Sequence, residues 1–102
     1  MTNWKRQPQE KEGTYEFSGF LLVTRGVQEI LSEAEIMSIV LDVKQAVHIT
    51  GRLDYLQVYK NDQGQKVWLI DQLSREMLTS DDYTPEQKKE YNHFTMLLPE
   101  EY

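Results

Sequence analysis

Between Ser32 and Gly51 the chain reads SEAEIMSIVLDVKQAVHITG, a segment with a start signal, a stop signal and one apolar stripe. Ile36, Ile39, Val40, Val43 and Val47 recur at three- and four-residue steps, so on a helix they share a face. Ser32, with Glu35 three residues on, matches a capping box in which hydroxyl and carboxylate each satisfy a free backbone N–H. Gly51 can take the left-handed conformation that closes a helix. A helix apolar along one stripe must bury it against a second layer, and the rest of the chain has to supply that layer.

The segment LDYLQVYKNDQGQKVWLI, Leu53 to Ile70, supplies the best candidate. Leu53 to Lys60 and Gln65 to about Gln72 are rich in Leu, Val, Ile, Tyr and Trp, and NDQG between them has the chemistry of a hairpin loop with Gly64 at positive φ. Val67, Ile70, Leu73, Ser74, Met77 and Leu78 also fit helical spacing, so residues 67–78 admit either reading. The preceding turn favours a strand that gives way near Leu73.

Upstream, YEFSGFLLVTRG predicts a strand centred on Phe20 to Thr24 and ended by Gly26. Downstream, Thr84 as cap, Pro85 at the first helical position and Gln87 at the third predict a short surface helix. HFTMLLP reads as a last strand, with Pro99 blocking further pairing. MTNWKRQPQEKEGT is polar, with Trp4 its one large apolar side chain, so residues 1–14 are expected as a flexible N-terminal tail ahead of a single domain at 15–102. The expected fold is α+β: a small antiparallel sheet of about four strands packed on one long amphipathic helix, with a short second helix.

A chain of 102 residues suits one domain with a modest core. It has no cysteine, which removes disulfides, thiolate metal sites and thiol nucleophiles and suits a reducing cytoplasm, the expected location. No apolar run approaches the roughly 20 residues of a membrane span, so no membrane partner is expected. Eleven basic against seventeen acidic residues give a net charge of -6, and no run of Lys and Arg is present, which disfavours direct nucleic-acid binding.

The chemical inventory is thin. His48 and His93 are the two imidazoles, and local spacing gives neither a nucleophile nor a carboxylate; they read as a helix C-terminal residue and a strand-edge residue. Asp54, Asp71, Asp81 and Asp82 do not form a calcium loop, and no two histidines stand a helical turn apart, so no metal is expected. No glycine-rich phosphate loop exists and no cofactor is expected. Asp54 and Asp71 lie in or beside apolar strands, where a carboxylate needs a partner; Arg25, Arg52 and Arg75 could form surface ion pairs with them. The functional alternative is a cleft carboxylate with a raised pKa acting as a general base.

Three short stretches, TRGVQEI at Thr24 to Ile30, DYLQVY at Asp54 to Tyr59 and LLPEEY at Leu97 to Tyr102, resemble the small bacterial proteins grouped as Domain of Unknown Function 960. The resemblance implies a compact cytoplasmic bacterial protein without an assigned activity, and it carries over no catalytic residue. It makes Thr24, Arg25, Gly26, Asp54, Tyr55 and Gln57 the first positions to test.

The leading expectation is a noncatalytic protein that binds a protein partner through an aromatic, helix-free sheet face or an edge strand, with Arg25, Tyr55, Tyr59 and Trp68 as contacts. An edge strand could also pair two copies as a homodimer. The alternative is an acidic inhibitor that imitates DNA, presenting Glu29, Glu33, Glu35 and Asp42 to the basic cleft of a nucleic-acid-handling enzyme.

Overall fold

The computed structural model describes residues 3–9 and 13–102. The elements run β1 (Trp4–Arg6), β2 (Phe20–Val23), α1 (Arg25–Ile30), α2 (Glu33–Thr50), β3 (Leu56–Asn61), β4 (Lys66–Asp71), α3 (Arg75–Thr79), α4 (Pro85–Tyr91) and β5 (His93–Leu97), with a 3₁₀ turn at Pro99–Glu101. The strands form one sheet in the order β1-β3-β4-β5-β2. The α+β class is as expected, with five strands rather than four. All pairs are antiparallel except β2 with β5, which is parallel.

Local signals act as the sequence implies across α2. Ser32 Oγ accepts from the Glu35 N–H while Glu35 Oε1 accepts from the Ser32 N–H, and Gly51 closes the helix at φ 84°. The stripe Ile39, Val40, Val43 and Ala46 joins Tyr59, Val67, Leu69, Phe94 and Met96 in one buried cluster, so α2 covers one sheet face. The hairpin forms around a tight loop with Gly64 at φ 83°, and β4 does give way before Leu73, with α3 beginning at Arg75. Residues 67–78 are therefore strand first and helix second.

Two expectations need correction. Gly26 does not end the first strand; β2 stops at Val23, Thr24 caps α1, and Gly26 lies in its first turn. A Cβ at Gly26 would meet the Glu101 carboxylate at 2.8 Å, so the missing side chain makes room for that acid. Nor is the whole of 1–14 a loose tail: Trp4, Lys5 and Arg6 pair with Asn61, Lys60 and Tyr59. Apolar content alone implies a loose tail, whereas β1 is held by backbone pairing and polar contacts. Trp4 Nε1 donates to Glu35 Oε2 at 2.9 Å, and the buried Gln57 amide accepts from Arg6 and donates to Gln9. Residues 1–2 and 10–12 of that segment lie outside the described residues.

One backbone outlier marks where the chain enters the core. Phe17 has φ 50°, in the left-handed region that costs a non-glycine residue about 1–2 kcal/mol. Three contacts hold it there. Its N–H donates to Asp71 Oδ2 at 2.9 Å, its carbonyl accepts from Lys44 Nζ at 3.2 Å, and its buried ring meets Phe94 edge-on at 5.7 Å.

Candidate binding surface

Strand alternation sends neighbouring side chains to opposite faces, and burial shows which face α2 takes. Gln57, Tyr59 and Asn61 of β3, Val67, Leu69 and Asp71 of β4, and Phe94 and Met96 of β5 are buried. The intervening residues form the second face. Register sets Val58, Trp68 and Leu97 in one cross-strand row, and Leu56, Ile70, Thr95 and Leu22 in the next. Phe20 follows, its ring 5.5 Å from that of His93.

This second face is apolar and open. Phe20 and Leu22 are 52% and 42% exposed, and Leu56, Val58, Trp68 and Ile70 are half-buried. Neither α3 nor α4 contributes to the core cluster, and α4 has no buried residue. The Tyr102 ring rests 5.7 Å from Trp68 at 60°, itself 80% exposed. At the β3 side a depression of about 330 Å³ is lined by Gln7, Pro8, Tyr55, Val58, Lys60 and Lys66 among others.

The expected contact residues divide. Tyr55 (42% exposed) and Trp68 belong to this region, Tyr55 lining the depression and Trp68 standing opposite Val58. Tyr59 does not: it is fully buried under α2, its phenol donating to Asp42 Oδ2 at 2.6 Å. Burial together with that carboxylate raises the phenol pKa well above its ordinary value. Parity is the reason, since Tyr59 and Trp68 point to opposite faces. Arg25 opens α1, highly exposed and 3.5 Å from Glu29.

The acidic set is largely engaged within the chain. Glu29 pairs with Arg25, Glu35 completes the α2 cap and accepts from Trp4, and Asp42 accepts from Tyr59 and lies 3.8 Å from Arg6. Glu33 sits exposed in the first turn of α2. The Glu35 carboxyl is held below its ordinary pKa first by the Ser32 backbone N–H and then by Trp4. Glu35 and Asp42 therefore brace the β1–α2 junction, through Trp4 and Arg6.

Asp71 is not the surface ion-pair residue expected from its position. It is 4% exposed, with Oδ2 accepting from the Phe17 N–H and Oδ1 from the Gln72 N–H. Burial pushes its pKa up, against the opposing pull of these N–H groups. A raised pKa fits the general-base alternative, while both oxygens accept backbone N–H groups and are shielded from solvent. Asp54, also nearly buried, accepts at Oδ1 from the Tyr55 N–H. His48 lies exposed in the last turn of α2, while His93, the first residue of β5, is half-buried. Among the described residues, no three His, Asp or Glu side chains gather as a metal site.

Sequence reasoning missed one feature of the surface. Lys5, Lys60 and Lys66 fall directly opposite one another on three neighbouring strands, on the open side. Residues 60 and 66 flank the NDQG turn, so hairpin register could have revealed that pair; Lys5 became visible only once β1 was seen to join β3. No family model, curated protein or solved structure matches the chain.

Proposed function

We propose that this is a noncatalytic protein that binds another protein through the sheet face turned away from α2. The observation that supports the reading is the largely apolar sheet surface made by Phe20, Leu22, Leu56, Val58, Trp68 and Ile70, interrupted by His93 and Thr95, with Phe20 and Leu22 about half exposed. Contiguous exposed apolar area on a small domain costs solubility, and partner contact is its commonest use. The face is preferred to an edge because the edge strands β1 and β2 are only three and four residues long, poor templates for pairing with another chain. Resemblance to Domain of Unknown Function 960 names no activity, so the reading rests on this surface.

The test is photocrosslinking in cells from benzoylphenylalanine placed at Leu22, with Ile49 on α2, 73% exposed, as the control position. A discrete protein adduct from Leu22 and none from Ile49 is expected. No adduct at Leu22, or the same adducts from both positions, would refute the assignment.

A further inference from the structure

Resting on that reading, we propose that the face takes an acidic segment of its protein partner, whose carboxylates meet the lysine row while an apolar or aromatic side chain packs on Val58 and Trp68. Lys5 pairs with Lys60 and Lys60 with Lys66 in the sheet register, and all three are exposed. Neighbouring strands lie about 4.8 Å apart, so the three residues span roughly 10 Å. Like charges directly opposite each other in a sheet are destabilising. Among the described residues, ion pairs join Arg6 to Asp42 and Arg25 to Glu29, and none includes these lysines.

A chain with a net charge of -6 thus sets three of its eleven basic residues side by side at the margin of its open apolar face. Carboxylates arriving there relieve the local repulsion, and the next row, Val58 and Trp68, offers apolar contact. The chain's own Glu100 and Tyr102 display the matching chemistry, whereas Glu101 is taken up by Thr24 and the Leu98 N–H. Tyr102 already sets its ring against Trp68, and Glu100 lines a depression of about 300 Å³ together with Lys66. The same chemistry favours a short acidic peptide over a nucleic-acid strand. Three lysines match few phosphates, and a longer polyanion would run into the field of a net acidic protein.

The experiment selects dodecapeptides from a random displayed library on the immobilised full chain, at low salt. The best synthetic peptide is then measured against wild type, Lys60→Glu/Lys66→Glu and Trp68→Ala, with dT12 as a parallel probe and circular dichroism confirming each fold. Enrichment of Asp and Glu beside an aromatic residue, at least tenfold weaker binding to the charge-reversed variant, and loss of affinity with added salt are expected. Peptides without acidic enrichment that still lose binding with Trp68→Ala overturn the acidic partner and leave the face as the binding site. Peptides indifferent to both variants, or none recovered, overturn both readings. Binding of dT12 as tight as the best peptide would assign the row to nucleic acid instead. Light scattering that shows a dimer abolished by charge reversal would assign it to a second copy.

Discussion

Replacing Asp71 with Asn tests whether the strained entry of the chain into the core depends on one carboxylate. In wild type, Oδ2 receives the Phe17 N–H and Oδ1 the Gln72 N–H, each at 2.9 Å. Asparagine keeps the shape but presents an NH₂ to one of those donors. One hydrogen bond to a charged acceptor is lost, about 1.5–3 kcal/mol, and relief of the buried charge returns part of it. We expect a net loss of about 2 kcal/mol, which lowers the urea midpoint by roughly 1 M for a protein of this size. The variant should also loosen Phe17, whose φ of 50° has lost a restraint, and shift the Phe94 ring resonances that report its edge contact.

The pH dependence gives an independent sign. Burial raises the Asp71 pKa in the folded state, so the native protein holds that proton more tightly than the unfolded chain. The group therefore favours the fold fully below its unfolded pKa, and this contribution fades as pH rises through the raised folded value. Asparagine lacks the effect, so the stability gap between wild type and Asp71→Asn should narrow as pH rises through that window. The opposing contributions of Glu35 and Glu101, both held below their ordinary pKa, are common to the two proteins and cancel. A variant within 0.5 kcal/mol of wild type (about the usual error), or a gap that widens with pH, would refute this account of the Asp71–Phe17 contact.

Tyr59→Phe removes the phenol that donates to Asp42 and should destabilise by about 1–2 kcal/mol in denaturant unfolding, while the absorbance change of tyrosine ionisation up to about pH 11 stays equal to wild type because Tyr59 is held protonated. A smaller tyrosinate signal in the variant would show that this phenol ionises normally. Gly51→Ala places a side chain at φ 84°, with open space around it, so thermal unfolding should register the backbone cost alone, about 1 kcal/mol. No change in stability would mean that the helix end rearranges without cost.

The helix, the hairpin and the closing strand could be read from the chain because each carries its own signal within a few residues. Ser32 and Glu35 form the cap, Gly51 and Gly64 take positive φ, and the stripe from Ile39 to Val43 faces inward. Such signals depend on neighbours in sequence, and no distant contact overrides them. What stayed hidden depended on partners far along the chain. Trp4 to Arg6 become a strand because β3 offers an unpaired edge and Gln57 needs polar partners, and β2 runs parallel to β5. Tyr59 and Trp68 look alike as aromatic residues of one hairpin, yet side-chain alternation and the position of α2 bury the first and leave the second on the open face. Lys5, Lys60 and Lys66 are scattered over more than half the sequence, and cross-strand register alone brings their charges together, since in a sheet it is the pairing that sets which side chains are neighbours.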